Sequence, residues 1–310
     1  MQPSLPLAAV AERENLERMI APGPRAGVSV VIPAFNEVNA IGPQIENVRQ
    51  VMEASGWPFE IIVVDDGSSD GTSEAVRKQA VRLVQFPYNR GYGQALKAGI
   101  ATAQNEWIVI TDADGTYPSE AIPGMLERAG EYDMVVGART SGVNIPAMRR
   151  PAKWFLGKLA GFLAEQPIPD LNSGLRVMRK SLVQKFEHLL PSGFSFTTTI
   201  TLALLCNNFR IYYQPIDYLR RVGSSKIRPK HAYQFLMLIL RTVVYFNPLR
   251  VFLPLGALFF VPGLIKLGFD LAHLRISQSA IVAMLGGIIL WAIGMLADQI
   301  SKIALSLKTK

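Results

Sequence analysis

Four β-branched residues in a row, Ile61-Ile62-Val63-Val64, stand between Glu60 and Asp65 with no polar residue among them. A strand with one wet face alternates apolar and polar positions, whereas a strand covered on both faces does not. Residues 28–32 and the run Trp107-Ile108-Val109-Ile110-Thr111 read the same way, and 81–86 and 132–137 are further strands. Segments of helical spacing at 39–54, 72–80 and 91–103 lie between them. Strands alternating with helices in units of about 25–30 residues predict an α/β fold, a mostly parallel sheet with flanking helices and right-handed crossovers. Beyond residue 138 the pattern loosens. Strands are predicted at 171–178 and 209–218, a helix carrying Arg149, Arg150, Lys153 and Lys158 at 146–163, and a buried helix at 195–205.

The fourth strand runs into Asp112-Ala113-Asp114. Open α/β sheets bind ligands at the carboxyl ends of their strands. Two carboxylates one residue apart repel unless a cation joins them, and hard oxygen donors suit Mg²⁺ or Mn²⁺, which suit a diphosphate. The same rim collects Asn36, Glu37, Asp65, Asp66 and Asn89, acceptors for the hydroxyl and N–H donors of a ribose and a uracil or guanine edge. Asp70, just before Gly71 and a helix, reads as a cap. A dinucleotide fold needs glycines at the first strand–helix turn. Pro33-Ala34-Phe35-Asn36-Glu37 stands there instead, and Gly91-Tyr92-Gly93 falls at the third turn without the last glycine of that fingerprint.

The net charge of +8 is unevenly spread. Residues 1–138 carry 10 Lys/Arg against 18 Asp/Glu, residues 139–250 carry 17 against 4, and residues 251–310 carry 5 against 2. The basic middle precedes the most apolar part of the chain, a pattern that favours anionic lipid over nucleic acid, for which no recognition motif is present. Residues 280–297 contain no charge, and 251–267 contain only Lys266, which is able to snorkel. With 268–278 as connector they predict a transmembrane hairpin, kinked at Pro254 and Pro262; a buried hairpin in a soluble protein is the competing reading. Lys/Arg at both outer ends put both termini in the cytoplasm. Residues 232–246, flanked by Lys230 and Arg250, read as a helix lying in the interface. Gly286-Gly287 and Gly294 offer a surface for packing against a neighbour, so a homo-oligomer is open. Residues 5–20, interrupted by Glu12, Glu14 and Glu17, lack the apolar core of a secretory signal and read as a short amphipathic helix. The single cysteine, Cys206, fits a reducing compartment and core packing.

Taken together, V-S-V-V-I-P-A-F-N-E (28–37), V-V-D-D-G-S-S-D-G-T (63–72), N-R-G-Y-G-Q-A-L-K-A-G (89–99), D-A-D-G (112–115) and V-G-A-R (136–139) resemble family 2 glycosyltransferases of the GT-A fold over about residues 27–230. The segment Asp170-Leu171-Asn172-Ser173-Gly174-Leu175-Arg176, the run Gly223-Ser224-Ser225-Lys226 followed by Arg228, and the C-terminal hairpin narrow the resemblance to polyprenyl-phosphate glycosyltransferases, the dolichol-phosphate mannosyltransferase and bactoprenol glucosyltransferase group.

The resemblance implies roles. Pro33, Ala34, Asn36, Glu37, Asp65, Asp66, Asn89, Gly91, Lys97 and Asp112 would hold the nucleotide. Asp112 and Asp114 would hold Mg²⁺ or Mn²⁺. Arg139, Arg149, Arg150, Ser173 and Lys226 would hold an acceptor phosphate, and Asp112, Asp114 and Arg139 would carry the chemistry. Many relatives place a metal-binding Gln two positions after the second Asp, where this chain has Thr116. The implied reaction is inverting, metal-dependent transfer from a UDP- or GDP-hexose to a polyprenyl monophosphate at the bilayer. A lipid phosphate is already anionic and needs no strong general base, and no Q-x-x-R-W motif of hydroxyl-acceptor relatives is present. A lipid or glycan hydroxyl acceptor, and a non-catalytic nucleotide-sugar-binding membrane scaffold, are the competing readings. The expected organisation is an extension (1–26), a GT-A domain (27–228), a juxtamembrane helix (229–250), a transmembrane hairpin (251–300) and a basic cytoplasmic tail (301–310).

Overall fold

A computed structural model of the chain describes residues 26–139, 161–162, 166–193, 195–217, 237, 240–241, 243–274 and 277–306. The predicted helix at 5–20, nearly all of 146–163, and Arg149, Arg150 and Lys226 lie outside the described residues. Only seven positions of the predicted interfacial helix, 237, 240–241 and 243–246, are described, and these are helical. The chain divides into two compact units, one drawn from Met1–Ser141, Ser173–Glu187 and Ile211–Val222, the other from Gly142–Asn172, His188–Arg210 and Gly223–Lys310.

The first unit is built on a seven-stranded sheet. Its strands are β1 (Val28–Ala34), β2 (Phe59–Asp65), β3 (Arg82–Gln85), β4 (Trp107–Ile110), β5 (Met134–Arg139), β6 (Arg176–Arg179) and β7 (Ile211–Ile216), in the order β3-β2-β1-β4-β6-β5-β7. Every pairing is parallel except the two made by β6, which runs antiparallel between β4 and β5. All seven strands expected from the sequence form. Every residue of β1 and β4 is buried, as their unbroken apolar runs require.

Helices cover the sheet: α1 (Val38–Ser55), α2 (Thr72–Arg77), α3 (Tyr92–Thr102), α4 (Ile122–Glu127) and α5 (Lys180–Phe186). α1 buries Ile41, Ile45, Val48 and Met52, one stripe at helical spacing. α3 lies close on β1 and β2, because a Cβ at Gly99 would overlap Val31 and come within 2.9 Å of Val64. The short helices α4 and α5 have no counterpart in the sequence reading, since six or seven residues are too few to show a period.

Antiparallel β6 is what assembles the rim. Arg176 pairs with Ile110 at the end of β4 and with Val136 in β5. The residues just before it, Ser173-Gly174-Leu175, therefore lie at the same sheet edge as the residues that follow Ile110. A parallel strand would have put them at the opposite edge.

In the second unit, α6 (Phe196–Cys206) buries ten of its eleven residues, ending at a half-buried Cys206. The hairpin consists of α7 (Leu249–Ala272) and α8 (Gln278–Ser306). At 1.5 Å per residue they extend about 36 Å and 43 Å, each more than a bilayer's hydrocarbon core. α7 outruns the predicted span, shortening the expected connector 268–278 to 273–277. Asp270 closes that turn by accepting from the backbone N–H (3.3 Å) and the hydroxyl of Ser277. Pro254 and Pro262 sit inside one continuous α7, and the indole N–H of Trp291 donates to the Leu253 carbonyl at 3.0 Å. Only 11% and 17% of the two apolar windows are covered by the rest of the chain. A core hairpin of a soluble protein would be mostly covered, so these helices are suited to lipid.

The seam between them is made of glycines. A Cβ at Gly287 would stand 2.7 Å from the Gly256 carbonyl and 2.9 Å from the Phe260 nitrogen, and one at Gly294 would overlap Phe252. Gly287 and Gly294, read from the sequence as a surface for a neighbouring copy, are thus spent inside the hairpin; Gly286 faces open space.

Candidate active site

Hydrogen bonds join the rim loops one to the next. The loop after β1 turns at Asn36, whose φ of 54° is left-handed, a conformation that asparagine tolerates. Asn36 N–H donates to Ser68 Oγ and its Oδ1 accepts from Ser69 N–H, each at 2.9 Å. Glu37 N–H donates to Thr72 Oγ1 at 2.9 Å. Asp70 accepts from Val38 N–H at 3.1 Å and Thr72 N–H at 3.0 Å, so it caps α1 as well as its own helix. Burial pushes the Asp70 carboxyl up, but the hydrogen bonds from the Thr72 hydroxyl and from the Val38 and Thr72 amides outweigh it and hold the group below the ordinary carboxylate value.

The loop after β2 is tied inward and onward. Asp65, fully buried, accepts from Ser68 N–H at 3.0 Å and from the Ser73 hydroxyl. Asp66 accepts from Arg90 N–H at 2.6 Å and Gly91 N–H at 2.9 Å. Gly67, with φ of 73°, lets the backbone at Tyr88 and Asn89 close over it. Both acids predicted to face a nucleoside therefore hold loop backbone in place.

The loop after β3 reaches the loop after β4 through Tyr92, whose phenol O–H donates to Asp112 Oδ1 at 3.0 Å. Burial first, then the charge of Asp112, raises the Tyr92 pKa well above its ordinary 10.0; the hydrogen bond to Asp112 adds to this and the positive charge of Arg176 opposes it. Two residues beyond Asp112, Asp114 Oδ1 accepts from Thr116 N–H at 3.2 Å and Thr116 Oγ1 at 2.7 Å. Tyr117 in turn accepts the Gly174 N–H at 2.7 Å, bringing the residues before β6 onto this loop.

A Cβ at Gly174 would lie 2.7 Å from Asp112 Oδ2. Ser173 is fully buried, with its hydroxyl accepting from Leu175 N–H at 3.4 Å and its carbonyl accepting from Arg176 Nε at 2.8 Å. The predicted acceptor-site serine thus shapes a turn beneath the rim. Arg139, the last residue of β5, is half-buried at the same edge. Of the other predicted nucleotide residues, Pro33 and Ala34 are buried, Asn36 and Asn89 exposed, and Glu37, Gly91 and Lys97 half-buried. Arg149, Arg150 and Lys226 fall outside the described residues.

The sequence reading passed over Tyr92, Tyr117 and the fully buried guanidinium of Arg176 as contributors. Tyr92 opens the segment of helical spacing at 91–103, where the sequence marks it only as a helix-start residue. Its partner is 20 residues away, and no local spacing reveals such a pair.

Among the described residues no three His, Cys, Asp or Glu side chains gather into a metal cage. Two half-buried carboxylates on one loop suit a hard divalent ion that leaves other positions to phosphate oxygens and water, so Asp112 and Asp114 fit Mg²⁺ or Mn²⁺.

Comparison with known proteins accords with this arrangement. Residues 29–186 match Glycosyl transferase family 2, and residues 247–303 match the GtrB C-terminal hairpin. The chain is 32% identical over 206 residues to the dolichyl-phosphate hexose transferase of Haloferax volcanii, spanning 65% of this chain and 87% of that relative. It is 30% identical over 280 residues to the undecaprenyl-phosphate 4-deoxy-4-formamido-L-arabinose transferase of Pectobacterium carotovorum, covering 86% and 82%. A dodecaprenyl-phosphate galacturonate synthase of Rhizobium johnstonii is 32% identical over 169 residues, covering 52% of this chain and about half (50%) of that protein. Glucosyl-3-phosphoglycerate synthase from Mycobacterium tuberculosis, solved with Mn²⁺, uridine diphosphate and phosphoglyceric acid, superposes with a TM-score of 0.58 at 19% identity, over 78% of this chain and 84% of that one. At that identity the likeness concerns the fold. The family 2 match runs through every loop of the rim, from β1 past the D-x-D pair to β6, and the chain belongs to glycosyltransferase family 2.

Proposed function

We propose that this glycosyltransferase moves a hexose from a UDP- or GDP-sugar to the phosphate of a polyprenyl monophosphate, with inversion at the anomeric carbon. The observation that carries this reading is the pairing, in one chain, of a family 2 rim with a matched C-terminal hairpin, together with the chain's similarity to relatives named for dolichyl-phosphate and undecaprenyl-phosphate transfer.

The loops after β1, β2 and β3, with Pro33, Ala34, Asn36, Glu37, Asp65, Asp66, Asn89, Gly91 and Lys97, form the nucleotide side of the site. Asp65 and Asp66 serve it by fixing loop shape. A divalent ion on Asp112 and Asp114 would offset the charge that develops on the departing diphosphate. An acceptor phosphate oxygen forms its bond to C1 as the bond from C1 to the diphosphate breaks, and the electron pair leaves with the nucleotide. The acceptor is already ionised at neutral pH, so no side chain has to remove a proton. Arg139 meets the phosphate, since a guanidinium offers paired N–H donors. Arg149, Arg150, Lys226 and Ser173 complete the acceptor side of the proposal. The hairpin spans the bilayer with both ends cytoplasmic, as Arg241 and Arg250 before it and Lys302, Lys308 and Lys310 after it favour. Residues 27–228 are the catalytic part and 229–250 the juxtamembrane part.

The test is a panel of labelled UDP- and GDP-hexoses offered to detergent-purified enzyme with undecaprenyl phosphate, dolichyl phosphate or diacylglycerol. Wild-type enzyme gives a labelled polyprenyl-phosphate sugar, and Asp114→Ala, still inserted in membrane, gives none. Label on diacylglycerol alone, or full activity of Asp114→Ala, overturns the reading.

A further inference from the structure

The two rim acids each receive a hydroxyl, from different places. For Asp114 the donor is local: Thr116, two residues on, directs its N–H and its Oγ1 at the same oxygen. For Asp112 it is remote: Tyr92, in the first turn of α3, donates across from the neighbouring loop. Thr116 is only 1% exposed, so its hydroxyl is withdrawn from water and committed to a carboxylate. Like charges two residues apart on one loop repel, and side chains left to water sample several rotamers. A neutral O–H on each acid restrains it without adding a positive charge that would compete with a cation.

We infer that Tyr92 and Thr116 are positioning residues for the D-x-D pair, each holding one carboxylate oxygen so that the two acids are set for a divalent cation and a diphosphate before either arrives. Thr116, in the place where the family resemblance implies a metal-binding Gln, serves the ion through Asp114 and not by ligation. This rests on the donor-site reading above. The geometry supports it independently of any acceptor.

The experiment measures Mn²⁺ binding by full-length protein in detergent, from the EPR signal of free Mn²⁺, with UDP or GDP present. Tyr92→Phe and Thr116→Val each weaken Mn²⁺–nucleotide binding about tenfold, the lower end of the range for groups that orient metal ligands. Thr116→Ser restores wild-type affinity. Thr116→Cys loses as much with Cd²⁺ as with Mn²⁺, because a thiol that does not touch the ion offers nothing to a softer metal. Unchanged melting temperatures separate these losses from misfolding. Wild-type affinity in both Tyr92→Phe and Thr116→Val overturns the inference, and a Cd²⁺ preference in Thr116→Cys makes Thr116 a ligand and overturns its positioning role. If wild-type protein binds no Mn²⁺ with either nucleotide, the donor-site reading fails and this inference with it. If wild type binds and the variants match it, only the inference fails.

Discussion

Gly174 is packed so closely against Asp112 that a single added methyl would stand 2.7 Å from Oδ2 and 2.9 Å from both Cγ and Oδ1. The obstacle is a carboxylate at the end of a short side chain, not backbone, so Gly174→Ala pushes the acid and leaves the sheet intact. Tyr92 holds that acid from another side and limits how far it moves. The expected outcome is a melting temperature near wild type with nucleotide-sugar turnover reduced at least about tenfold, in line with the sensitivity of metal-ligand orientation. Thermal unfolding and initial rates on the same preparation check this; wild-type rates would mean that Asp112 relaxes without consequence.

A change at Arg139 tests the proposed acceptor side apart from the donor side. Arg139 closes β5 on the shared rim, and a guanidinium–phosphate hydrogen bond contributes about 1.5–3 kcal/mol. Arg139→Ala is expected to raise KM for the lipid phosphate about 10- to 100-fold while leaving KM for the nucleotide sugar nearly unchanged. Steady-state kinetics with each substrate varied in turn measure the split. Equal effects on both, or none on the lipid, remove Arg139 from the acceptor side.

Neighbouring glycines in the hairpin should differ sharply. The space beside Gly287 is filled by backbone of α7, which has no room to yield, whereas nothing lies within 4 Å of a Cβ on Gly286. Gly287→Leu forces the helices apart, and overpacking of this kind costs about 1–3 kcal/mol or more. Gly286→Leu adds a lipid-facing side chain and removes a poor helix former, worth up to about 1 kcal/mol in its favour. Melting in detergent followed by circular dichroism is expected to fall for the first variant and to hold or rise for the second.

Asp70 ties α1 to the loop after β2 and predicts an acid limb. Its folded-state pKa lies below 3.8, so protonation favours the unfolded chain. The stabilisation is fully present above about pH 3.8, the unfolded value, and is lost as pH falls through the lower folded value. Asp70→Asn removes it at every pH. Denaturant melts are expected to place the wild type above the variant at pH 6 and to converge as the pH falls below 3.8. A gap independent of pH would mean that shape, and not charge, carries the Asp70 contribution.

Periodicity and composition made the seven strands, the two long apolar helices and the chemical character of the D-x-D loop legible from the chain alone. Each of these is a local property: an unbroken run such as Ile61–Val64 can only be covered on both faces, and eighteen residues without charge are of the length to span lipid. The pairing of loops is not local. Only the fold runs β6 backwards between β4 and β5, setting Gly174 against Asp112 and Tyr117. Only the fold shows Asp65 turned to the Ser68 amide and the Ser73 hydroxyl, Asp66 to two backbone amides, Tyr92 reaching Asp112, and Gly287 consumed within its own hairpin. Sequence spacing reports which face of its own element a residue occupies. Which distant residue meets it there depends on strand order and helix packing, where many weak contacts summed over the whole chain decide.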